Sequence, residues 1–182
     1  MISEIITFKW PVAHFDLDQI AESGQVFRWE RRGPEHYAIP AGGHFCVARM
    51  DAPGRLAVHC RENLVPFWHY YFGLGDDYPE YWQAINTWAE RDGPDAYLTR
   101  AAAADGITIL HQPAWEAMAS KEANCVLLYS MGHLEAFPVD TWIRRVLDRE
   151  FPDGFTVERY ASFGGLVQQI IFYYERERSK KK

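Results

Sequence analysis

The chain is predicted to be an α+β protein, with an antiparallel sheet early in the sequence and a packed set of helices after it. Two observations predict this. Between residues 25 and 61, short runs rich in aromatic and β-branched residues are separated by Gly- and Pro-containing pairs, the pattern of a meander. From residue 63 onward, apolar residues return at helical spacing instead. The expected division is a sheet domain with flanking helices over 1–105 and a helical domain over 106–182, interrupted at 120/121.

Each element can be justified in turn. "FDLDQIAES" reads as a short helix, because Asp16 and Gln19 have capping-box spacing and Phe15 is placed as a staple. "QVFRWERR", "HYAIPA", "HFCVARMDA" and "RLAVHCR" read as strands, punctuated by Gly33-Pro34, Gly42-Gly43 and Pro53-Gly54. "NLVPFWHYYF", "DYPEYWQAINTWAER" and "PDAYLTRAAAA" follow as helices, separated by Gly73, Gly75 and Gly93-Pro94. Helical character continues through "QPAWEAMAS", "KEANCVLLYSMG" ending at Gly132, "DTWIRRVLDREF" and "GGLVQQIIFYYERER". Asp140, after Pro138-Val139 and before an apolar helix, has the setting of an N-cap.

Composition bounds the function. A hydrophobic fraction of 48%, with 7 Trp, 10 Tyr and 11 Phe in 182 residues, is enough for a sizeable core. The net charge of −6 does not advertise a nucleic-acid binder, so any DNA contact must come from local groups such as Arg144, Arg145 and the basic tail. Three cysteines, Cys46, Cys60 and Cys125, are odd in number and unpatterned, which suggests reduced thiols and a cytoplasmic or nucleoid-associated protein. The start shows no signal-peptide pattern, and no apolar run approaches the ~20 residues of a membrane span, so no membrane partner is expected.

Several chemistries fail on spacing. His44, Cys46, His59 and Cys60 match no standard zinc pattern, and strand alternation sends them to opposite faces, so no metal is expected. Ser120 and Ser130 lack a nucleophile elbow, and "GGH" and "FGGL" lack the context of a nucleotide cradle. Lys121 stands apart. An amine at a helix N-terminus against an apolar wall has its pKa lowered and becomes a nucleophile, and a carboxylate such as Asp140 would stabilise a developing cation. Spacing alone leaves Lys121 equally open to being a solvated surface lysine, and Asp140 to being only a cap.

The sequence "FDLDQIAESGQVFRW" resembles the sheet domain of the 8-oxoguanine DNA glycosylases of the helix-hairpin-helix superfamily, whose signature is Ser-Gly-Gln-x-Phe-Arg-Trp. "GITILHQPAWEAMAS" is similar to the beginning of their helical domain, and "KEANCVLLYSMGHLEAFPVDTWIRRV" to their catalytic segment with its Lys and Pro-Val-Asp. "GGLVQQIIFYYER" resembles their closing helix. The resemblance implies that Lys121 is the Schiff-base nucleophile and Asp140 the catalytic carboxylate. It places the carbonyl of Gly24 against the N7 hydrogen that distinguishes 8-oxoguanine. Cys125 and Phe172 would sandwich the flipped base, and Gln168 would read its Watson–Crick edge. The implied activity is excision of 8-oxoguanine from duplex DNA with AP-lyase cleavage, by a monomer that needs no cofactor.

One departure stands out. The family has a long helical stretch and a hairpin Gly-x-Gly before its lysine, whereas Ser120 here runs directly into Lys121, and Glu122 replaces a Val. Hairpin N–H groups and a helix N-terminus bind phosphate and depress a lysine pKa. Without them, a non-catalytic DNA- or protein-binding remnant is the alternative expectation, and a Schiff-base enzyme for small carbonyl compounds a third.

Overall fold

The computed structural model describes residues 3–93, 96–117 and 123–181. Five antiparallel strands run in the order β1-β5-β4-β3-β2: β1 (Ile5–Pro11), β2 (Glu30–Gly33), β3 (His36–Ala41), β4 (His44–Ala52) and β5 (Arg55–Arg61). The helices among the described residues are α1 (Leu17–Glu22), α2 (Val65–Tyr71), α3 (Tyr78–Asp92), α4 (Tyr97–Ala101), α5 (Ala114–Ala117), α6 (Ala123–Met131), α7 (Thr141–Glu150) and α8 (Gly164–Lys180). The α+β class read from the sequence is the observed one.

Strand alternation sorts the sheet into two faces. Leu56, Val58 and Cys60 of β5, with Cys46 and Ala48 of β4, turn inward, while His44, His59 and Arg61 are exposed. The cysteines and histidines considered for a metal are therefore parted. Burial raises the pKa of both inward thiols, and they behave as small core residues. Among the described residues, no group of three His, Cys, Asp or Glu gathers as a metal site, and no helix is long and apolar enough to cross a membrane.

Two apolar clusters form the interior. One joins the inner sheet face to α1 and α2 through Trp10, Leu17, Ile39, Leu56, Trp68 and Phe72. The other joins α3, α4, α6, α7 and α8 through Trp82, Leu98, Leu128, Ile143 and Leu166. The clusters do not divide at residue 105. Helices α3 and α4, which precede it, belong to the helical cluster, and Leu110, which follows it, belongs to the sheet cluster. The connecting segment 107–113 runs between them, with Ile107 and Ile109 in the helical cluster.

Two local expectations need correction. β1 was not expected as a strand, yet it pairs with β5 along its whole length from Ile5↔Arg61 to Pro11↔Arg55. It is an edge strand ending in Pro11, a residue that an interior strand would exclude. The strand expected over 25–32 begins only at Glu30, because the backbone before it is held by side chains instead of a ladder, as described below. Asp16 does cap α1, accepting from Gln19 N–H at 2.9 Å, and Phe15 and Ile20 share the sheet cluster. The capping box is not closed: Gln19 Oε1 accepts from Gly106 N–H at 3.0 Å, and Asp16 N–H donates to Gly106 O at 2.8 Å. Gly106 is pressed so close that a Cβ there would lie 2.3 Å from Asp16 Cβ. The start of α1 is thus tied to the segment that joins the clusters.

Candidate base-recognition site

The run Ser23-Gly24-Gln25 is built as a unit. Ser23 Oγ donates to Ile20 O at 2.7 Å and closes α1. Gly24 then takes φ +85°, a left-handed conformation that a residue with a Cβ adopts only under strain. Gln25, fully buried, follows. Its Nε2 donates to Ser23 Oγ at 3.0 Å and to Thr108 O at 2.7 Å, while its Oε1 accepts from Leu110 N–H at 2.9 Å. Gln112 Nε2 returns a bond of 2.6 Å to the Gln25 carbonyl. One side-chain amide therefore satisfies two buried backbone groups that a neighbouring strand would otherwise serve. Nearby, Trp29 Nε1 donates to Tyr71 Oη at 3.0 Å, and Glu116 pairs with Arg28 at 2.5 Å while accepting from Gly42 N–H at 2.8 Å.

Helix α8 brings the second wall. Gly165 allows it to approach α6, since a Cβ there would fall 2.3 Å from Leu128 Cδ1 and 2.7 Å from Ala136 O. That approach sets the rotation of the whole helix. Phe172, two turns along, then meets Gly24: a Cβ on Gly24 would lie 2.6 Å from Phe172 Cε1. The other side of Phe172 packs on Trp142, with ring centroids 5.4 Å apart at 60°. Gln168, one turn earlier and 4% exposed, accepts through Oε1 from Gln169 Nε2 at 2.6 Å. Gln169 Nε2 also donates to the hydroxyl of Tyr129 on α6. Burial, with the Cys125 thiol and the Asp140 carboxyl nearby, holds the Tyr129 hydroxyl well above its usual pKa, so it stays protonated.

Asp140 caps α7. Its Oδ1 accepts from Trp142 N–H at 2.9 Å and from Ile143 N–H at 2.7 Å. Both bonds fall on one oxygen, and Oδ2 accepts none among the described residues. Arg144 and Arg145 lie exposed on α7, and Cys125 is half-buried on α6 against the helical cluster. Lys121 and its junction with Ser120 lie outside the described residues.

The fold therefore brings Gly24 and Phe172 into contact from opposite ends of the chain, and links Gln168, Cys125 and Asp140 through Tyr129 and Gln169. The sequence reading missed Gln25, Gln112, Tyr129, Gln169 and Trp142 as parts of this site. Gln25 and Gln169 stand beside expected site residues, but no local spacing tells an amide that binds from one that supports.

Comparison with known proteins follows the same lines. The family model for the 8-oxoguanine DNA glycosylase N-terminal domain matches residues 7–118, more than half of the chain. A probable N-glycosylase/DNA lyase of Methanothermobacter thermautotrophicus is 40% identical over 65 residues, a match that covers 31% of this chain and 21% of the relative. The match thus spans about a fifth of the curated relative's length. Among solved structures, MBOgg1 in complex with a low-affinity DNA ligand superposes with a TM-score of 0.79 over 98% of this chain and 100% of that one. The apo form of the Clostridium acetobutylicum 8-oxoguanine glycosylase/lyase gives 0.75 over 96% and 100%. The same enzyme with double-stranded DNA containing cytosine opposite 8-oxoguanine gives 0.73 over 98% and 100%. All three structures are 17% identical to this chain and share its fold. The sheet order, the Ser23-Gly24-Gln25 unit and the family match lead to one assignment: this chain belongs to the 8-oxoguanine DNA glycosylase family.

Proposed function

We propose that the protein excises 8-oxoguanine from duplex DNA as a bifunctional glycosylase and AP lyase, with Lys121 as nucleophile and no cofactor. The observation that carries this reading is the contact between Gly24 and Phe172, a bare backbone turn facing an aromatic ring. A flipped base needs a stacking face and a few directed polar groups, and its reading edge must meet backbone closely where no Cβ intervenes. Phe172 and Cys125 supply faces, the Gly24 carbonyl accepts the N7–H of the oxidised base, and Gln168 reads the Watson–Crick edge. The likeness to a DNA-bound 8-oxoguanine glycosylase/lyase supports duplex DNA as the partner.

In the first step, the Lys121 amine adds to the sugar C1′ and the glycosidic bond breaks with its electron pair on the departing base. Loss of the amine protons as the sugar ring opens gives the imine. Removal of a C2′ proton then expels the 3′ phosphate, and water releases the lysine. Asp140 stabilises the cationic character at C1′ through Oδ2, while Oδ1 holds the helix N-terminus. Arg144 and Arg145 on the exposed side of α7 contact the phosphate backbone.

Borohydride reduction on an 8-oxoguanine duplex tests the proposal. A covalent protein–DNA adduct is expected from the natural chain and none from Lys121→Gln. An undiminished adduct in that variant moves the nucleophile elsewhere. The absence of any adduct favours the remnant reading, which the missing Gly-x-Gly before Lys121 and the net charge of −6 support.

A further inference from the structure

We infer that Gln169 is a positioning residue that fixes which end of the Gln168 amide faces the base, and so selects a 6-oxo purine over a 6-amino one. The inference rests on the proposed role of Gln168 in base recognition. Both residues are buried, at 4% and 1% exposure, and they are adjacent on α8. Gln169 Nε2 has two protons, and both are used: one on Gln168 Oε1 at 2.6 Å, the other on the Tyr129 hydroxyl. The acceptor end of Gln168 is thus occupied by its neighbour. Its donor end, Nε2, makes no hydrogen bond among the described residues. An amide held this way offers N–H groups to a ligand, and an N–H donor is matched by the carbonyl at C6 of an oxidised guanine. It is opposed by the amino group at C6 of the corresponding adenine.

A second observation separates this arrangement from ordinary packing. Gln169 Oε1 is buried and has no hydrogen-bond partner. A buried amide with an orphaned oxygen is a poorer core residue than an apolar one of similar size, since the unpaired acceptor keeps its desolvation cost. Stability alone therefore does not account for a glutamine here, whereas holding Gln168 does. Turning the Gln169 amide over sets its oxygen against Gln168 Oε1 unless Gln168 turns as well, so the two amides are coupled in orientation. Tyr129 anchors the pair from α6, and its burial keeps the hydroxyl protonated.

The test uses the full chain and two duplexes that differ only in carrying 8-oxoguanine or 8-oxoadenine opposite cytosine. Their binding is compared by fluorescence anisotropy at low temperature. The natural protein is expected to favour 8-oxoguanine by about tenfold or more, the discrimination of a directed base-edge contact. Gln169→Leu should reduce that ratio to within about threefold, yet leave the melting temperature unchanged or raised, because it removes the orphaned oxygen. Tyr129→Phe, which frees one Gln169 proton, should lower the ratio part of the way.

A Gln169→Leu protein that keeps its ratio while Gln168→Leu loses it overturns the inference and leaves the base-reading role of Gln168 standing. A natural protein without preference, or a Gln168→Leu variant that keeps the preference, removes that role and the inference together. If Gln169→Leu does not fold, the glutamine is structural, and an unchanged ratio in Tyr129→Phe completes the refutation.

Discussion

Asp140 and Gln25 are placed in opposite ways. Asp140 is positioned within three residues of itself, by the N–H groups of Trp142 and Ile143 at the start of its own helix. Gln25 is positioned from 83 and 85 residues away, by Thr108 O and Leu110 N–H, and Gln112 fixes its carbonyl from 87 residues away. The chemistry proposed for Asp140 thus depends on a local turn of backbone. The recognition proposed for Gly24 depends on the docking of the sheet side against the 107–113 segment. Locally placed groups survive distant disturbance, and remotely placed groups report on the integrity of the whole fold.

The strongest way to break the remote side is Gln25→Leu. It leaves Thr108 O and Leu110 N–H buried without partners, and each orphaned group costs about 1–3 kcal/mol. A loss of about 2–4 kcal/mol in urea unfolding is expected. A change below about 0.5 kcal/mol shows that the Gly24 turn is held by packing and not by this amide. On the local side, Asp140→Asn retains an N-cap oxygen, so stability should change by no more than about 0.5 kcal/mol. Single-turnover excision should nevertheless fall by roughly 10²-fold or more, since the charge at Oδ2 is lost. Parallel losses in both measurements assign Asp140 to capping alone.

The smallest effect sharpens the comparison through pH. Glu22, at the end of α1, is bonded to Lys180 at 2.8 Å and to Arg176 at 3.2 Å, a second tie between the ends of the chain. The Lys180 hydrogen bond holds its carboxyl below the usual 4.5, outweighing the opposing effect of burial, and the Lys180 and Arg176 charges add to the lowering. A depressed carboxyl stabilises the fold above its unfolded pKa, and that contribution is lost as pH falls below 4.5 through the folded value. These side chains are largely solvated, so Glu22→Gln should cost less than about 0.5 kcal/mol at pH 7 and nothing at pH 2. A cost that persists at pH 2 points to packing by Glu22 and not to its charge.

The same contrast explains what could be read from the sequence. The α1 and α7 caps were legible, because Asp16 and Asp140 announce themselves against the residues that immediately follow. So were β3, β4 and β5, with their short glycine and proline turns. Gln25 was not legible as a bridge, because its partners lie in another part of the chain and a buried amide has no local periodicity. β1 escaped for a similar reason: its apolar residues make sense only beside β5, more than 40 residues away. The link from Tyr129 to Gln169 spans 40 residues and two helices, and only the approach permitted by Gly165 creates it.

The Gln25 bridge also bears on how the chain folds. Its bonds close loops of more than 80 residues for a handful of buried contacts. The entropy of closing such a loop is spent before those contacts reward it. Local pieces such as the β3–β4 hairpin and the capped α1 and α7 can form early, whereas the bridge can close only after both clusters have condensed around it. The stability contributed by Gln25 is therefore expressed as slower unfolding rather than faster folding. The turn that presents Gly24 is among the last parts of the molecule to assemble and the first to be released.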